Sequence, residues 1–169
     1  LKLNNISSIG IDTKTEKFGV CNKNGAEFSV SPMENDLNNK IADYTQGNDL
    51  DVIIDFVSSK SSLELGCSIL GKGGRLVTLG GSGEQFLANS ADMLVKELEL
   101  IGSRYCTKQE LKESLDLYAR GLIEPLVSVK TDFDGAEGLH DKIEKGEITG
   151  RAGIPVSYTH LRAHETILD

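Results

Sequence analysis

The chain has 169 residues, is 38% apolar and carries a formal net charge of −8, which leaves room for one domain or one and a half and enough apolar side chains for a core. An acidic chain argues against a nucleic-acid binder, because phosphate backbones select basic surfaces, and no apolar run is long enough for a membrane-spanning helix. Cys21, Cys67 and Cys106 are scattered, odd in number and free of any Cys-x-x-Cys, which points to a reducing, cytoplasmic setting and gives no zinc site by spacing.

In chain order, Leu1 to Asn5 reads as the end of a helix. With no starting Met and no basic-then-apolar leader, the chain reads as a fragment without a signal peptide. Ile6 to Ile11 is expected as a strand closed by Asp12. Thr13 to Asn24 is expected as a helix with Phe18 and Cys21 inward, ended by Gly25. Glu27 to Val30 is a short strand, and Glu34 to Tyr44 a polar helix carrying Leu37 and Ile41. Asp51 to Val57 is a run of β-branched and aromatic residues, the pattern of a strand buried on both faces. Ser58 to Ser61 supplies N-cap chemistry, and Leu63, Gly66, Cys67 and Leu70 fall at helical spacing. Gly71 to Gly74 stops that helix, and Arg75 to Leu79 is the next strand. This strand–helix–strand unit predicts two parallel strands with a right-handed crossover. An extended piece at Glu84 to Leu87, a helix at Ser90 to Lys96 and a strand at Leu98 to Ser103 follow. Thr107 to Glu110 is a capping box for a helix expected to bury Leu111, Leu115 and Tyr118 and to end at Gly121. A strand at Leu126 to Lys130, a helix with Leu139 and Ile143 ended by Gly146, and a strand at Arg151 to Ile154 complete the pattern. The predicted organisation is a nucleotide-binding segment over 1–103, a second α/β segment over 104–155, and a tail over 156–169.

In parallel sheets, ligands sit at the carboxyl ends of strands, here Val57-Ser58 and Leu79-Gly80-Gly81. Asp12 stands at another strand end. It can accept hydrogen bonds from both ribose hydroxyls of an adenosine or merely cap the following helix. Lys17, five residues on, can reach the same ribose or be an ordinary surface lysine. Gly80 and Gly81 permit close approach of a flat ring or phosphate, or form a plain turn. No Gly-x-Gly-x-x-Gly is present. His140 sits on a charged helix, and His160 and His164 have the spacing of a metal pair but no third ligand nearby.

Several short stretches together resemble the zinc-type, medium-chain alcohol dehydrogenase family. They are Ile9-Gly10-Ile11-Asp12 with Lys17, Asn24-Gly25-Ala26, Asp51 to Val57, Gly73 to Val77, Ile101-Gly102-Ser103, Lys145 to Ile148 and Gly150-Arg151-Ala152. The resemblance runs from about Asn5 to Pro155. It implies the carboxyl-terminal part of an NAD-dependent enzyme that moves a hydride between an alcohol or carbonyl substrate and NAD. Asp12 and Lys17 would hold the adenosine ribose, Val57 and Ser58 would border the adenine, and Leu79, Gly80, Gly81, Ile101, Gly102 and Ser103 would line the nicotinamide. Arg151 would reach the pyrophosphate. Asp12 would repel the 2′-phosphate of NADP. Zinc would belong to the intact protein, on ligands this chain does not contain, and so would a homodimer or homotetramer, paired through Glu84 to Leu87.

The resemblance also implies an α/β fold of unusual form. It would be an incomplete Rossmann-like parallel sheet lacking its first, central strand. In the order 3-2-1-4-5-6 that strand belongs between Ile6–Asp12 and Asp51–Val57, so a gap or a foreign pairing is expected there. The tail from Val156 resembles the translation of a transposase adaptor used in library preparation, and it is expected to pack on nothing. Three other readings compete: a zinc-free quinone or enoyl reductase of the same superfamily, an S-adenosylmethionine methyltransferase, and a non-catalytic nucleotide-binding module.

Overall fold

The computed structural model describes residues 1–155; the tail from Val156 to Asp169, with its two histidines, lies outside the described residues. Contacts divide the described residues into two compact units, the first Leu1–Leu111 and the second beginning at Lys112.

In the first unit, β1 (Ile9–Ile11) pairs in parallel with β2 (Phe28–Val30), Ile9 opposite Phe28 and Ile11 opposite Val30. β1 is shorter than its sequence suggests. The Ser7 hydroxyl is drawn instead to Glu27 and Tyr44, at 3.0 and 2.8 Å. The connecting helix is also shorter: a 3-10 turn over Thr15–Lys17 precedes α1 (Phe18–Lys23). Asp12 Oδ1 takes the Lys14 N–H at 2.9 Å, a side-chain turn that competes with helix and delays its start.

β3 (Leu50–Asp55), β4 (Leu70–Thr78) and β5 (Glu99–Gly102) form a second parallel ladder in the order β3-β4-β5. Ile53 lies opposite Leu76, and Leu76 opposite Leu100. The crossover from β3 to β4 is α3 (Lys60–Ile69). It opens on a reciprocal capping box, Ser62 N to Ser59 Oγ at 3.2 Å and Ser59 N to Ser62 Oγ at 3.0 Å. The glycine run after it does more than stop the helix. It forms the irregular first half of β4, with a register shift against β3 and Gly73 at φ +71°. From α4 (Ser90–Lys96), Lys96 Nζ donates to the Ser68 and Leu70 carbonyls, both at 2.9 Å, closing the carboxyl end of α3.

The two faces of this ladder differ. Leu63, Cys67 and Leu70 pack on Leu76, with Leu50, Ile53, Phe86, Ala88 and Leu98 around them; Leu76 is 2% exposed, and burial pushes the Cys67 thiol pKa up. On the opposite face Val52 and Ile54 are 50% and 41% exposed. The expectation of a strand buried on both faces is therefore corrected. α3 and the chain around Phe86 cover one face, and no element of this unit covers the other.

No ladder joins β1 or β2 to β3, β4 or β5 among the described residues, so the gap expected between the Asp12 and Asp55 strands is present. The two ladders are linked by side chains instead. α2 (Leu37–Tyr44) buries Leu37 and Ile41 with Val30, and Ile9, Phe28, Leu50, Leu65 and Ile69 pack around them. Glu84 to Leu87 is not a strand. Lys60 N donates to Glu84 Oε2 at 2.6 Å, Leu87 N donates to Glu64 Oε1 at 3.1 Å, and Phe86 tucks into the core. The segment is a strap over α3, and the open outer edge of the ladder belongs to β5.

α5 (Lys108–Ala119) starts at the expected capping box, Thr107 N to Glu110 Oε2 at 2.6 Å and Glu110 N to Thr107 Oγ1 at 3.2 Å. Leu111, Leu115 and Tyr118 are exposed rather than buried, so its apolar stripe is uncovered. In the second unit β6 (Val127–Lys130) pairs in parallel with β7 (Arg151–Gly153), and α6 (Ala136–Glu144) buries Leu139 but leaves Ile143 exposed. Gly121 and Gly146 follow their helices at φ +68° and +64°, the left-handed geometry that ends a helix.

Leu76→Ala should cost roughly 2–5 kcal/mol in urea unfolding, whereas Val52→Ser on the bare face should stay within about 0.5 kcal/mol. The Tyr44 hydroxyl, donating at 2.6 Å, and that of Ser7 hold the Glu27 carboxyl below its ordinary 4.5. A lowered carboxyl stabilises the fold fully above pH 4.5, and the contribution is lost as pH falls through the folded value. Tyr44→Phe should move the Glu27 titration back toward 4.5 in an NMR titration and flatten that acid limb.

Candidate functional site

The strand ends of the first unit carry the expected residues. At the end of β1, Asp12 N donates to the Val30 carbonyl. Its carboxylate does two things at once: Oδ1 holds the turn through Lys14 N, and Oδ2 lies 3.3 Å from Lys17 Nζ. Each of the two side chains is 30% exposed. The five-residue spacing thus brings an acceptor and a cation together at a strand end, partly open to solvent. Turn and helix start leave Oδ2 and the ammonium facing each other, which is the arrangement a vicinal diol can share.

At the end of β3 the organising residue is Asp55, which sequence reasoning did not single out. It is 7% exposed. Oδ1 accepts from Val57 N at 2.8 Å and Ser58 N at 2.9 Å, and its backbone carbonyl accepts from Leu79 N at 2.8 Å. Oδ2 is buried with no hydrogen-bond partner among the described residues. Asp55 therefore folds its own turn and fastens the end of β3 to the end of β4. The available signal was an acid closing an apolar run, since a buried carboxylate is kept only where backbone N–H groups receive it.

That turn sets the other positions. Val57 swings outward and is exposed, whereas Ser58 is buried at φ +55°. The Ser58 hydroxyl contacts that of Thr78, and its carbonyl accepts from the Ser82 hydroxyl. A Cβ on Gly80 would fall 2.5 Å from the Val57 carbonyl carbon and oxygen, so the glycine there serves the approach of one strand end to the other. Gly81 differs: it is exposed, and a Cβ there would meet nothing. Leu79 is also exposed. On β5, Gly102 lies opposite Thr78, and Ser103 N donates to the Thr78 carbonyl at 2.9 Å; Ile101, Gly102 and Ser103 are all exposed.

The structure thus gathers Val57, Ser58, Leu79, Gly80, Gly81, Ile101, Gly102 and Ser103 at one end of the second ladder, with Asp12 and Lys17 at the end of the first. Arg151 belongs to the second unit and is exposed at the start of β7. Among the described residues no group of three or more His, Cys, Asp or Glu side chains could hold a metal ion. Cys21, Cys67 and Cys106 are free thiols.

The chain is similar in sequence and in fold to known proteins. The family model described as zinc-binding dehydrogenase matches residues 1–120. The NAD-dependent alcohol dehydrogenase of Sulfolobus acidocaldarius is 28% identical over 151 residues, covering 88% of this chain and 43% of that protein. The crystal structure of the alcohol dehydrogenase from Aeropyrum pernix superposes with a TM-score of 0.75 at 29% identity, over 85% of this chain and 41% of that one. A crystal structure of an NAD-dependent alcohol dehydrogenase gives 0.83 at 21% identity, over 92% and 46%, a likeness of fold. The chain therefore spans less than half the length of these relatives. By the extent of the family match, the chain belongs to the zinc-binding dehydrogenases.

Proposed function

We propose that this chain is the cofactor-binding part of an NAD-dependent dehydrogenase that interconverts a small alcohol and its carbonyl. The observation that carries the reading is the Asp12–Lys17 pair at the end of β1. A carboxylate there accepts from both hydroxyls of a ribose, the neighbouring ammonium donates to the same diol, and the negative charge disfavours a 2′-phosphate. The donor set therefore fits NAD better than NADP. NAD, when bound, supplies the acceptor for the hydride.

The chain's own residues bind and orient. Val57 and Ser58 border the adenine. The exposed Leu79, the open Gly81 and the Gly102–Ser103 pair offer a shelf for a flat ring, and Arg151 serves the pyrophosphate. The described residues do not fit a zinc site. Residues 1–103 act as the nucleotide-binding segment and 104–155 as a segment that packs on a catalytic domain, a role that suits the uncovered stripe of α5. The free thiols suit a cytoplasmic enzyme. The open edge of β5 suits a homodimer or homotetramer.

In the full-length protein, Asp12→Gly should weaken NAD binding by roughly 1–3 kcal/mol, the cost of leaving ribose hydroxyls unpaired, and should cost NADPH little. Calorimetric titration with both cofactors reads this. Equal losses would reduce Asp12 to a turn-holding residue, and a wild-type preference for NADPH would favour a zinc-free reductase.

A further inference from the structure

Arg104 follows directly on the shelf at the end of β5, one residue beyond Ser103. Its guanidinium lies over the ring of Tyr105, 4.9 Å from the centroid. Tyr105 is 85% exposed and sits at φ +56°, a left-handed conformation that a bulky side chain rarely adopts and that marks functional sites. The net effect is a cation held on an aromatic platform at the mouth of the candidate site. A cation–π contact uses the charge of the guanidinium and does not consume its N–H donors. Arg75, on the same strand ladder, is paired with Glu99 at 2.6 Å. Arg104 has no carboxylate partner among the described residues, although the chain carries 26 acidic residues.

We propose that Arg104 receives the carboxylate of the substrate, so that the enzyme acts on hydroxy acids. The inference rests on the dehydrogenase reading above. The planar fork of arginine matches a carboxylate with two parallel hydrogen bonds. In the proposed binding mode Asp12, on the other ladder, would hold the ribose end of the cofactor; β5 is the outer strand beyond β3 and β4, so a group beside Ser103 would stand past the nicotinamide. The carboxylate is untouched in the reaction: the carbinol C–H leaves as hydride to the nicotinamide and the O–H gives up a proton. A phosphate oxygen of the cofactor offers the same anionic chemistry, and the test separates the two sources.

The full-length protein is assayed for NAD reduction with two matched pairs, lactate against lactamide and glycolate against glycolamide, as wild type, Arg104→Gln and Arg104→Lys. The wild type should prefer the acid of each pair. Arg104→Gln should erase that preference, lowering the acid-to-amide ratio of kcat/KM roughly 10- to 100-fold through the KM of the acid, and Arg104→Lys should restore part of it. Equal losses for acid and amide, with a raised KM for NAD, would place Arg104 on the cofactor and overturn the proposal. A wild type that prefers the amides would overturn it too, leaving the dehydrogenase reading intact. Failure to reduce NAD with any alcohol would overturn both.

Discussion

The first unit depends on one apolar contact, the seat of Leu37 and Ile41 against Val30, Leu50, Leu65 and Ile69. The two ladders share no backbone hydrogen bond, so this cluster is what joins them. Burying two such side chains is worth about 1.5–3 kcal/mol each, a modest sum set against a ladder of hydrogen bonds. It is also non-directional, so it fixes proximity better than register. β1 pairs in a ladder only with β2 and β3 only with β4, so each keeps one edge of N–H and C=O groups outside any ladder among the described residues.

Against that loose junction, the strand ends within each ladder are tightly specified. Asp55 holds Val57, Ser58 and Leu79 through its carboxylate and carbonyl. Ser58, Thr78 and Ser82 carry the tie onward by hydroxyl contacts, and Gly80 lets the two backbones meet. Rigidity is therefore concentrated where a cofactor would lie. The bare sheet face and the stripe of α5 lie elsewhere, and both are apolar surfaces left for covering.

The elements with strong local signals were legible in sequence. The Ser59 and Thr107 caps, the glycine stops at Gly121 and Gly146 and the parallel pairing of β3 with β4 follow from residue chemistry that acts within a few positions. The fate of Val52, Leu111 and Leu115 was not legible. An apolar residue states that it prefers burial, not whether the element that would bury it is present. Glu84 to Leu87 was legible as an extended piece but not as a strap on α3, because extended chain looks alike whether it pairs with a strand or with side chains such as Glu64. In the candidate site, Asp12 and Lys17 were found from spacing, whereas Asp55 was hidden inside an apolar run and is recognisable only by the amides it collects.

Glu84 also stands at the head of α3. Its carboxylate bonds the first backbone amide of α3, so the positive end of that helix is neutralised by the chain itself. A phosphate arriving at the strand ends does not find an empty helix terminus there; it finds an anion already seated. To use that terminus, a ligand would have to expel Glu84 and loosen the strap that also carries Phe86 into the core. Charge selection at this end of the sheet is in that sense exclusion: the helix that lies nearest to the β3 turn is closed to anions by a carboxylate of its own chain.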